Sequence, residues 1–125
     1  MIFDKDGNTS IVYQENSSIT TFLENLNEAY TKVKDDNLIL NLFSFEKLTS
    51  GDVLEFLELS NKHKENGKSF VIVTNKVAYD QVPEEIMVTP TLQEAKDIIE
   101  MEEIERDLGL WSWRYSVAMR QHHVP

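Results

Sequence analysis

Two hydroxyls side by side, Thr49 and Ser50, stand where an apolar, strand-like run gives way to a helix-like one. The chain reads Leu38-Ile39-Leu40-Asn41-Leu42-Phe43, then a short connection, then Thr49-Ser50-Gly51-Asp52 ahead of the periodic residues Val53, Leu54, Phe56, Leu57 and Leu59. The first N–H groups of a helix lack partners inside it and carry the positive end of its dipole. A hydroxyl there caps the helix, and a phosphorylated one puts a dianion where the helix field favours it. The chemistry this pattern offers is phosphate acceptance, with Ser50 as first candidate and Thr49 as second. Capping is the competing structural role of the same atoms, worth roughly 0.5–2 kcal/mol.

Other chemistry finds little support. Ser50 has no Gly-x-Ser-x-Gly context for a nucleophile. His63 lies thirteen residues further along the same predicted helix and reads as an exposed last-turn residue. With no cysteine, thiolate catalysis, disulfides and Cys-based zinc sites are excluded. A hydrolase or metal-dependent nuclease of the ribonuclease Z type is the alternative function class. Such a two-zinc phosphodiesterase needs a dense His/Asp cluster to hold metals about 3.5–4 Å apart. The chain offers His63, His122 and His123 and no His-x-His-x-Asp-His run. Adjacent His122 and His123 make a poor metal site. The acids from Glu100 to Glu105 read as a solvated helix face without an EF-hand pattern. The expectation is no catalytic residue, no metal and no cofactor.

Composition narrows the partners. At 125 residues and 41% apolar content, one domain with one core is expected. A net charge of −10 argues against nucleic acid and against an anionic membrane, both of which demand a basic face. Met1-Ile2-Phe3-Asp4-Lys5-Asp6 is acidic and has no apolar core, so it does not read as a signal peptide. No stretch approaches the ~20 apolar residues that span a bilayer. A cytoplasmic protein is expected. Residues 111–125 hold Arg114, Arg120 and no acid, so residues 1–110 keep 10 basic against 22 acidic side chains, a charge of −12. That C-terminal stretch also holds both tryptophans, in Trp111-Ser112-Trp113-Arg114-Tyr115. The division is a domain over 1–109 and an aromatic tail over 110–125. The tail reads either as a non-native extension or as a docking segment, since Trp, Tyr and Arg anchor interfaces. A homodimer through the tail, a purely structural oligomer, is a third function class.

The elements that position these residues follow from periodicity. Asp6-Gly7-Asn8 turns a hairpin whose second arm alternates through Thr9, Ile11 and Tyr13. Ile19, Phe22, Leu23, Leu26, Tyr30 and Val33 form one helical stripe, with Ser17 and Ser18 as cap candidates and Asp35-Asp36-Asn37 as its end. Residues 38–43 suit a strand covered on both faces. A helix is predicted over 52–66, stopped by Gly67. Residues 69–74 make another central strand, Ile86 to Val88 a short one, and Thr91-x-x-Glu94 opens a last helix that Gly109 ends. Asn75 to Pro83 is a loop, with a helical turn near Tyr79. Strands alternating with helices mean an α/β fold with a mixed, mostly parallel sheet, an N-terminal hairpin and three to four helices.

This order resembles a STAS domain, the sulfate-transporter and anti-sigma-factor-antagonist fold, over about residues 2–108. In bacterial antagonists the middle strand reads roughly Leu-Asn-Leu. A seven-residue connection with an apolar penultimate position comes next, then Asp-Ser-Ser-Gly at a helix start. Here Leu40-Asn41-Leu42 leads through Phe43 to Thr49, with Leu48 in the apolar position, to Ser50. Thr49 stands in place of the family's Asp, and Gly51 and Asp52 in place of its second Ser and Gly. The resemblance implies a non-catalytic regulatory module that binds a protein partner, a kinase or an anti-sigma-like regulator. It implies phosphorylation at Ser50 and a contact surface over Phe45, Glu46, Lys47, Thr49, Ser50, Gly51 and Asp52. Asn16-Ser17-Ser18 and Asn75-Lys76 are expected at the same end of the sheet.

Overall fold

The computed structural model describes residues 1–13 and 17–109. Five strands form one sheet: β1 (Ile2–Asp6), β2 (Thr9–Tyr13), β3 (Asn37–Asn41), β4 (Phe70–Val73) and β5 (Met87–Thr89). They lie in sequence order, with β1 antiparallel to β2 and every other neighbour parallel. Gly7, at φ 61°, turns the hairpin; that left-handed conformation is why glycine sits there. The connections between parallel strands carry α1 (Ile19–Val33), then α2 (Ser50–Leu54) and α3 (Leu57–Glu65), then a 3₁₀ turn (Tyr79–Gln81). Helix α4 (Leu92–Asp107) comes after β5.

The alternating side chains of the central strands serve two cores. Val12, Leu38, Leu40, Phe70 and Ile72 point to the face covered by α1, α2 and α3. Ile11, Ile39, Val71 and Val73 point to the opposite face, where Ala95 and Ile99 of α4 pack. Burial on both faces explains the unbroken apolar runs of β3 and β4. Helix α1 buries the predicted stripe of Ile19, Phe22, Leu26, Tyr30 and Val33 and is capped by Ser18, whose side chain accepts from the Thr21 N–H.

Three local expectations need correction. The predicted helix 52–66 is two helices: Glu55 and Phe56 donate to carbonyls three residues back, at Asp52 and Val53. That tightening sets Val53, Phe56 and Leu59, each three residues apart, into one core. Strand β3 ends at Asn41, two residues before the apolar run does, which leaves Phe43 44% exposed. Last, Asn37 begins β3 instead of ending the preceding helix.

Candidate functional site

The end of β3 sets the site. Asn41 Oδ1 accepts the Phe43 N–H at 3.1 Å, and the Phe45 N–H reaches the Leu42 carbonyl at 3.2 Å. These bonds turn the chain sharply out of the sheet. Phe45 then packs edge-on against buried Phe22, ring centroids 6.0 Å apart, and Leu48 is buried. Two apolar pegs therefore hold the connection, while Glu46 and Lys47 between them are exposed.

Of the two hydroxyls, Thr49 is the cap of α2 and Ser50 is not. Its Oγ1 accepts the Asp52 N–H at 3.1 Å, and Asp52 Oδ2 accepts the Thr49 N–H at 3.0 Å, a reciprocal capping box. Ser50 is the first helical residue and is half-buried; Thr49 and Gly51 are exposed. The sequence already carried this signal: Thr49 and Asp52 have the three-residue spacing of the box. Because α2 spans only five residues, its dipole is that of little more than one turn. Any effect of charge at Ser50 must therefore come from the surface it faces more than from a helix field.

All four parallel strands end at the same side of the sheet, where the chain leads on to the starts of α1, α2 and α4. Ser17 and Ser18 lie there; Asn16 is outside the described residues. Thr74 Oγ1 accepts the Lys76 N–H at 3.1 Å, fixing the turn after β4, and the Thr89 hydroxyl donates to the Thr91 carbonyl at 3.0 Å. A shallow depression runs along this turn, lined by residues such as Asn75, Lys76, Tyr79 and Pro90. Tyr79, 76% exposed, stands at its rim. Leu54 on α2, 42% exposed, and Phe43 are large apolar side chains that periodicity assigns to the core. They join Phe45–Asp52 as surface that sequence reading missed. Asn41, which interrupts the apolar run, closes the strand and leaves Phe43 beyond it.

His63 is not the exposed last-turn residue expected. It is fully buried. Its Nε2–H donates to the Asp36 carbonyl at 2.8 Å, since a carbonyl only accepts, and Nδ1 then accepts from the Tyr30 hydroxyl at 2.7 Å. Burial above all lowers its pKa to about 4. Both ring nitrogens of His63 are thereby committed, and Ser50 lies thirteen residues earlier, at the start of the preceding helix. The two cannot form a nucleophile–base pair.

The acidic face of α4 is also only partly solvated. Glu103 accepts from Asn8, and Glu102 is half-buried, which raises its carboxyl pKa. Nearby, Arg106 donates to Ser69 Oγ at 3.0 Å and Asn37 Oδ1 at 3.2 Å, and Lys64, its pKa lowered by burial, donates to the Glu85 carbonyl. This polar cluster ties α3, β3, β4 and α4 together at the end of the sheet away from Ser50. Among the described residues no group of three or more His, Asp or Glu side chains could hold a metal ion. His122 and His123 lie outside the described residues, as does the whole 110–125 tail. No helix among the described residues is long and apolar enough to cross a membrane.

No protein-family model matches the sequence, and no curated protein matches it. By structure, the chain is similar to a serine-to-glutamate variant of RsbS from Moorella thermoacetica, with a TM-score of 0.59 and 19% identity over 79% of this chain and 93% of that one. The match gives the fold: a STAS-like α/β domain with an antiparallel N-terminal hairpin on an otherwise parallel sheet.

Proposed function

We propose that this chain is a non-catalytic regulatory module that acts by binding a protein, in the manner of an anti-sigma-factor antagonist. The STAS-like fold it shares with RsbS is the observation that carries this reading. Contact is made at the outlet of the parallel strands, through Phe45, Glu46, Lys47, Thr49, Ser50, Gly51 and Asp52. Exposed Phe43 and Leu54 supply the apolar anchors that a protein interface needs at its centre. A kinase or an anti-sigma-like regulator is the kind of partner proposed, and the cytoplasm the compartment.

Ser50 is the proposed phosphorylation site, with Thr49 second. The geometry supports that order. Thr49 Oγ1 is engaged in the capping box, and modifying it would break the box, whereas Ser50 caps nothing. A phosphate on Ser50 would add about −1.5 to −2 charge beside the Asp52 carboxylate. An acidic partner surface would be repelled and an arginine recruited. The test is capture of partners from the native host by wild type, Ser50→Asp and Phe43→Ser. The expected result is one partner kept by wild type whose retention changes with Ser50→Asp and falls with Phe43→Ser, all three proteins folding alike. Identical partner lists for the three would refute the contact surface, and an unchanged list for Ser50→Asp alone would refute the switch.

A further inference from the structure

Helix α4 has two apolar faces, and the fold uses one. Ala95 and Ile99 are buried against the sheet. Met101, Ile104 and Leu108 recur three and four residues apart on the opposite side, at 54%, 54% and 69% exposed. Single exposed apolar residues are ordinary, but three aligned on one helix face form a stripe with no cover among the described residues. Exposed Asp97, Glu100 and Asp107 flank it, and the helix as a whole carries seven acids against two bases. Both bases are engaged elsewhere, Lys96 with Asp6 at 3.1 Å and Arg106 with Ser69 and Asn37.

The segment beyond the helix has the complementary composition. Gly109, at φ 77°, donates its N–H back to the Arg106 carbonyl, which closes α4 with a left-handed residue that turns the chain off the helix axis. The next sixteen residues, 110–125, contain both tryptophans, a tyrosine, two arginines and no acid. The stripe from Met101 to Leu108 is about 10 Å long. Sixteen residues reach about 50 Å when extended, so the segment can return along the helix with length to spare.

We propose that the outer face of α4 is the docking site for residues 110–125 of the same chain. The rings of Trp111 and Trp113 cover Met101, Ile104 and Leu108, and Arg114 meets the flanking carboxylates. Indole rings bring large apolar area at small cost in rotamer freedom, and a guanidinium pairs with a carboxylate in fork geometry. The consequence is that α4 is sandwiched and the stripe is closed to other proteins.

The tryptophans make the test direct, because the chain has no others. Indole emission and acrylamide quenching are measured on the full chain across a wide concentration range, with mass in solution read in parallel. Wild type and an Ile104→Ser, Leu108→Ser double variant are compared, and circular dichroism checks that both fold. The proposal expects blue-shifted, quencher-protected emission from a monomer, independent of concentration. It expects the double variant to shift to the red and to be quenched severalfold more readily. Wild-type emission matching a free peptide of residues 110–125 would overturn it. So would protection that the double variant leaves unchanged. Protection that appears only at concentrations where a dimer forms would overturn the same-chain arrangement and assign the stripe to a second copy.

Discussion

His63 holds three elements together: its own helix α3, Tyr30 on α1 and the Asp36 carbonyl at the entry to β3. Lys62 adds its ammonium over the Tyr30 ring, 4.9 Å from the centroid. The neutral imidazole satisfies both neighbours. A second ring proton would point at a Tyr30 oxygen that must then accept it, in a buried site that poorly solvates the charge. The folded-state pKa of about 4 lies below the ordinary 6.5, so between those values the unfolded chain binds the extra proton. Stability from this residue is complete above pH 6.5, falls as pH drops through that window, and is gone near pH 4; its full size is about 3 kcal/mol. Urea unfolding at pH 7.0 and 5.0 should show that loss in wild type. His63→Phe should lower stability at pH 7.0 by about 1–3 kcal/mol, through the orphaned Tyr30 and Asp36 groups, and should remove this part of the pH dependence. The same pH slope in both proteins would contradict the assignment. Nothing in the local sequence revealed this role. His63 sits among Asn61, Lys62 and Lys64, a polar setting that reads as surface. The longer spacing was the signal: Val53, Phe56, Ser60 and His63 recur three, four and three residues apart, one helical face, and all four are buried.

At the scale of elements, the start of α2 is a division of labour between neighbours. Thr49 caps; Ser50 presents its side chain at the first turn. Thr49→Ala should therefore destabilise the domain by about 1 kcal/mol, and Ser50→Ala should change it far less, as thermal or denaturant unfolding would show. Equal losses would mean that the capping box does not carry the helix start. The elements themselves were largely legible in sequence. The stripe of α1, the two-sided apolar runs of β3 and β4, the hairpin around Gly7 and the end of α4 at Gly109 all lie where periodicity and turn chemistry put them. Ends and breaks were not. The sequence offers no proline or glycine at Glu55-Phe56; the tightened turn keeps Val53, Phe56 and Leu59 in one core, with Phe56 edge-on to Phe22, centroids 6.0 Å apart. Likewise Leu42 and Phe43 extend the apolar run of β3 although the hydrogen-bonded strand has ended. Apolar character predicts burial of Leu42 correctly and of Phe43 wrongly, because a turn, not a strand, decides where the second side chain points.

For the whole molecule, the sheet separates two kinds of end. One holds the half-buried polar cluster of Lys64, Glu102 and Arg106 over buried Ser69 and Asn37, with His63 nearby, and locks the helices to the strands. The other gathers loops, the α2 start and the exposed rings of Phe43 and Tyr79. Open parallel sheets place their binding surfaces at the strand outlets, and the proposed contact surface lies at that end of this sheet. The ordered set of elements made the fold readable before coordinates. The exposure of Phe43 and Leu54 was not readable, since it depends on where β3 stops and which way α2 faces. The central claim is that a protein partner seats on this outlet. Hydrogen exchange of the chain alone and with its captured partner tests it most directly: slowing should concentrate in residues 43–54, with a smaller effect at residues 75–79. Slowing confined to β1 or α4, with 43–54 exchanging as in the free chain, would contradict it.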